Sequence, residues 1–163
     1  KKGFEKHVTY LNDRSAKCQY KINKLLKLID TDSNSYDAVI RALRLPKKSK
    51  KDIINRLEAI KNANIEAANV PFEILELTSS ILSDTLDVCM NANPNSISDI
   101  AVAAESLKAA AHSASYNVII NINSIEDIEI QKKYKQKTDY YIKDVDDSHL
   151  KILKHVQNIL SNE

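Results

Sequence analysis

Apolar residues step by four and three from the start of the chain. Phe4, Val8, Leu11, Ser15, Cys18, Ile22, Leu25 and Ile29 form one such seam. That spacing keeps one side of a helix facing a partner, as in a helix bundle. It predicts a first helix over about Phe4–Ile29. The run then turns polar in "LIDTDSNSYD", where Asp30 to Asn34 carry short side chains that compete with the helix backbone. A helix end is expected there. A short second helix follows, with Tyr36, Val39, Ile40 and Leu43 on one face and Pro46 as its stop.

The third predicted helix opens at "SKKD", with Ser49 as N-cap and Asp52 three residues on, a capping-box pattern. Its seam runs through Ile53, Leu57, Ile60, Asn64, Ala67, Pro71, Ile74, Thr78, Ile81, Thr85 and Val88. Pro71 removes one donor, but the stepping keeps its phase across it. A kink rather than a break is expected, with the helix continuing to about Met90. The loop "NANPNSIS" leads to a fourth helix with Ser98 as N-cap and Asp99 in the first turn, where the helix dipole favours a carboxylate. One face of it holds only small residues and two amides: Ala103, Ser106, Ala110, Ser113 and Ala114, then Asn117 and Asn121. The adjacent face has Ile100, Leu107, Val118 and Ile122 for ordinary packing. A fifth helix is predicted from near Ser124. Its inner face is Ile125, Ile128, Ile142, Val145, Ile152, Val156 and Ile159, with the polar, aromatic "KKYKQKTDYYIKD" as extended helix or bend.

The reading is therefore all-α: an antiparallel bundle of about four long helices plus one short helix. The regular seam and the leftover small-residue face point to a homodimer. Composition agrees. A single Gly and three Pro leave too few turn formers for a sheet protein, and 43% hydrophobic with 28% charged residues suits a folded globular chain of 163 residues. A net charge of +2 is too mild to argue for nucleic acid. The one basic cluster, "PKKSKK", reads as a solvated turn or an anchor for an anionic ligand tail. No apolar run approaches a membrane span, and no signal peptide is visible. Cys18 and Cys89 lie on apolar stripes without metal-ligand spacing, which predicts buried free thiols and a cytoplasmic protein.

Standard catalytic motifs are absent, and the four His do not pair at helical spacing. What remains is a set of carboxylates and amides near expected helix ends, Asp30, Asp32, Asp99, Asn117 and Asn121, together with Lys47. Each has a structural role open to it as well: a cap for Asp32, a dipole partner for Asp99, an interface amide for the asparagines.

Taken in order, "LIDTDSNSYDAVIRALRLPK", "RLEAIKNANIEAANVP" and "NPNSISDIAVAAESLKAAAHSASYNVIINI" resemble the cyclodeaminase/cyclohydrolase family. The shared pattern is L-I-D-x-D, L-P-K, A-x-x-V-P, S-D and N-V-x-x-N, spread over about Lys1 to Asp127. The resemblance implies a helical subunit that dimerises, with a tetrahydrofolate derivative as substrate bound near the dimer interface; no metal is expected, because no Glu-x-x-His motif is present. It implies ring closure of a formimino folate to the methenyl form with release of ammonia, or the related cyclohydrolase reaction. The alternative is a non-catalytic dimerisation module derived from the family. Asp30, Asp32 and Asp99 are the implied acid/base and electrostatic set. Lys47 is placed on the glutamate tail, with Asn117 and Asn121 on the pterin or reacting centre. The family also carries a Gly-rich segment ahead of this region. With Gly3 alone here, residues 1–163 read as a single domain incomplete at its N-terminus.

Overall fold

The structure is a computed structural model, and it describes residues 7–91 and 93–161. Four long helices account for nearly all of them: α1 over Val8–Leu43, α2 over Lys50–Cys89, α3 over Ile97–Ile122 and α4 over Ile128–Leu160. A 3-10 turn, Pro94–Ser96, leads into α3. No strand occurs among the described residues.

The expected five helices become four because α1 does not stop at the polar run. Thr31 Oγ1 donates to the Lys27 carbonyl at 3.0 Å and Ser33 Oγ to the Ile29 carbonyl at 3.2 Å. The hydroxyls bond back along their own helix instead of capping a new one. The short helix expected at Tyr36–Leu43 is the C-terminal part of α1. Phe4, expected at its start, lies outside the described residues.

The capping box forms as the sequence indicates. Ser49 Oγ accepts from the Asp52 N–H at 3.1 Å, and Asp52 Oδ2 accepts from the Ser49 N–H at 3.0 Å. Pro71 sits inside an unbroken α2. Two other starts shift by a few residues. The N-cap of α3 is Ser96, without a side-chain bond, rather than Ser98, and Asp99 keeps its place in the first turn. The N-cap of α4 is Asp127, whose carboxylate accepts from the Ile130 N–H, rather than Ser124. "KKYKQKTDYYIKD" is helix throughout.

The core lies between α2, α3 and α4. Leu75, Leu82 and Cys89 of α2 meet Ile100, Ala104 and Ala111 of α3 and Val145, Ile152 and Val156 of α4. A second cluster joins Ala68, Phe72, Val118, Ile122 and Ile125, with Tyr134 and Tyr141 at its edge. Tyr134 donates to the Asn69 amide oxygen, and Tyr141 donates to Glu76 at 3.0 Å. These tyrosines occupy the stretch of α4 where the aliphatic pattern lapses. Ile128, expected on the inner face, is exposed.

Helix α1 lies outside this core. Ion pairs tie it to α2: Arg14 on Asp84 and Asp87, Lys21 on Asp84, and Lys24 on Glu73. Of its residues only Leu28 and Ala42 are buried, while Ile22, Leu26 and Ile29 stay exposed. Cys89 is a buried free thiol as expected, and Cys18 is only half-buried.

Asp127 carries a pH prediction. A hydrogen bond from Lys61 Nζ at 3.1 Å, then the Ile130 N–H, hold its carboxyl below the usual range. A depressed folded pKa adds stability that is fully present above the unfolded value of about 3.9. That stability is lost as pH falls through the lower folded value. Asp127→Asn keeps a capping side chain but not the charge. The melting temperature of the variant is expected to fall less than that of the parent on acidification from about pH 5 to about pH 2. Equal acid limbs in the two proteins would remove this contribution.

Candidate functional site

A groove of about 580 Å³ opens where α1, α2 and α3 converge. Its existence follows from side-chain size. On α3, Ala110, Ser113 and Ala114 stand where larger residues would fill the space between helices. Leu25 and Leu28 of α1 and Pro71 and Ile74 of α2 supply the apolar lining, and Ile22, Leu26 and Ile29 extend it outward. Polar groups enter from two sides. Asp32 and Ser33 come from α1, and Ser113 and Asn117 from α3. The Asp32 carboxylate and the Asn117 amide have no hydrogen-bond partner among the described residues, so both are free to meet a ligand.

The six residues singled out in the sequence do not all gather here. Asp32 and Asn117 line the groove. Asp30 does not, because α1 is continuous there. Two residues turn the helix by about 200°, so Asp30 points away from Asp32. Asp99 is exposed at the start of α3, eighteen residues before Asn117, which is about 27 Å along the helix axis. Lys47 is exposed in the turn between α1 and α2. Asn121 is half-buried, and its Nδ2 donates to the Ala67 carbonyl of α2 at 2.7 Å. Ser33 and the leucines of α1 were missed as lining residues. Leu25 lies seven residues before Asp32, two helical turns, and that spacing was available to place them on one face. Among the described residues, no group of three His, Cys, Asp or Glu is placed to hold a metal ion. No helix of the described residues is long and apolar enough to cross a membrane.

The groove has an apolar bed, a free carboxylate on one wall and a free amide on the other. Such a site suits a flat, partly apolar ligand that carries hydrogen-bonding edges and gains positive charge. The all-helical fold with this groove has clear relatives. Residues 1–140 match the family model for formiminotransferase-cyclodeaminase. The chain belongs to that family.

Individual relatives agree. The formimidoyltransferase-cyclodeaminase of Sus scrofa is 28% identical over 114 residues, 70% of this chain and 21% of the pig protein. The methenyltetrahydrofolate cyclohydrolase of Methylorubrum extorquens is 31% identical over 103 residues, 63% of this chain and 50% of that protein. This chain thus spans about a fifth of the one relative and half of the other. In structure, it superposes with a TM-score of 0.80 on the crystal structure of formiminotetrahydrofolate cyclodeaminase from Thermotoga maritima. That match covers 98% of this chain and 76% of the other at 21% identity, and it establishes the shared fold.

Proposed function

We propose that this domain acts on a one-carbon folate, as a formiminotetrahydrofolate cyclodeaminase or the related methenyltetrahydrofolate cyclohydrolase. The observation that carries the reading is the pairing of free Asp32 and free Asn117 across one apolar groove, in a chain of a family whose relatives bear those names. The pterin and its neighbouring ring lie on the apolar bed, and the Asn117 amide bonds their polar edge. In the deaminase reaction the neighbouring folate nitrogen attacks the formimino carbon, and a new C–N bond forms. A proton leaves that nitrogen and another reaches the departing amine. The old C–N bond breaks, ammonia leaves, and the methenyl cation remains.

Asp32 is the group in the groove able to take and return that proton and to stabilise the cation. Its substrate is already assembled in one molecule, so holding the two reacting atoms together supplies much of the rate. An extended ligand lying along α1 carries its anionic tail toward Lys47. Asp99 reaches the same ligand only from a second copy of the chain. The exposed Ile22, Leu26 and Ile29 at the groove rim support such a homodimer, because burying them removes apolar surface from water.

Two measurements test the reading together. Formiminotetrahydrofolate is added and the methenyl chromophore followed, while light scattering gives the mass and titration calorimetry the affinity for a folate polyglutamate. Turnover with binding by a dimer is expected. A dimer with neither binding nor turnover would favour the non-catalytic module instead.

A further inference from the structure

Pro71 creates a specific deficit in α2. In a helix each carbonyl accepts from the N–H four residues on. Proline has no N–H, so the Ala67 carbonyl loses its partner. Ala67 is buried, so its carbonyl would be costly to leave without a donor. The donor arrives from another helix: Asn121 Nδ2 of α3 lies 2.7 Å from that oxygen. The approach is possible because the facing residues are small. Ala67 and Ala68 of α2 are both buried here.

The location gives this bond a consequence. Pro71 itself lines the groove, and Asn117, one turn before Asn121 on α3, lines it from the other side. We propose that Asn121 is a positioning residue, standing in for the amide hydrogen that Pro71 lacks and thereby fixing Asn117 against the groove. Asn121 and Pro71 act as one unit. The proline opens a carbonyl on α2, and the asparagine uses it to lock α3 at the depth the site requires. Asn121 does not line the groove, and one of its two amide hydrogens is committed to the Ala67 carbonyl. The effect on turnover rests on the folate reading above, whereas the clamp itself does not.

A double-mutant cycle separates the two. Asn121→Ala is made in the parent and in Pro71→Ala, where the backbone N–H gained at the substituted position restores the helical partner of the Ala67 carbonyl. In the parent, Asn121→Ala is expected to lower the melting temperature by several degrees and kcat/KM by about tenfold. In Pro71→Ala the same change is expected to move kcat/KM less than about twofold, with a correspondingly small shift in melting. Asn121→Asp, which offers no hydrogen to the carbonyl, is expected to be at least as damaging as Asn121→Ala. Equal losses from Asn121→Ala in both backgrounds would overturn the clamp. Coupled melting with uncoupled kinetics would overturn the positioning role. Full activity in Asn121→Asp would also overturn it, by making Asn121 a direct acceptor for the cationic substrate. If the parent chain shows no turnover, the folate reading fails, and the melting cycle alone still decides the clamp.

Discussion

Asp32→Asn is expected to lower the rate of methenyl formation by about 10²–10⁴-fold, the usual yield of a positioned acid/base group. The protein should fold as before. Asp32 is exposed, and its carboxylate bonds nothing among the described residues, so the amide removes no structural interaction. Surface changes of this kind move stability by no more than about 0.5 kcal/mol. The amide keeps the shape of the side chain and loses only the proton affinity and the charge. Asp30→Asn is the internal control, since it makes the same chemical change about 200° around α1. Its rate should match the parent. Asp99→Asn then reports on assembly. A loss of rate there means that a second copy delivers Asp99 to the groove, because one chain holds it about 27 Å from Asn117. The assay is absorbance at the methenyl band, with melting as the fold check. Turnover by Asp32→Asn within about threefold of the parent would remove Asp32 from the chemistry.

Much of the fold was legible in the sequence because helix seams have a period that side-chain type reveals directly. The capping box at Ser49 and Asp52, the unbroken passage of α2 through Pro71, and the first-turn Asp99 follow from local rules. The continuity of α1 did not. Thr31 and Ser33 favour caps when judged alone, but their hydroxyls can also bond the preceding turn, and no neighbouring Gly or Pro forces an end. That one difference separates Asp30 from Asp32, and it decides which carboxylate lines the groove. Part of the small face of α3 expected from the sequence, Ala110, Ser113, Ala114 and Asn117, lines the groove. Close helix contact falls on Ala104, Ala111 and Ala114, all buried, whereas Ala103, Ser106, Ala110 and Ser113 stay exposed. Alanine fits both settings, so composition cannot choose between them. The tie between Pro71 and Asn121 depends on a tertiary crossing, which no single-helix pattern contains.

Leu75→Ala is expected to destabilise the protein by about 2–5 kcal/mol, from lost burial and from the cavity left behind. Leu75 is 0% exposed at the centre of the contact between α2, α3 and α4. For a chain of this size that corresponds to a fall in melting temperature of about 4–20 °C. Leu26→Ala deletes the same atoms from a side chain that is 58% exposed on α1, beside the groove. Within one chain its effect should be much smaller, since little surface leaves water there. A second copy covering that face changes the outcome in a measurable way. The cost of Leu26→Ala then appears as weaker association, and its melting temperature depends on protein concentration more steeply than that of Leu75→Ala. Melting both variants across a hundredfold range of concentration separates the two cases. A Leu75→Ala shift below about 2 °C would place the core elsewhere. A flat concentration dependence in the parent and in Leu26→Ala alike would leave α1 facing water, and Asp32 would then have to work without a neighbouring copy.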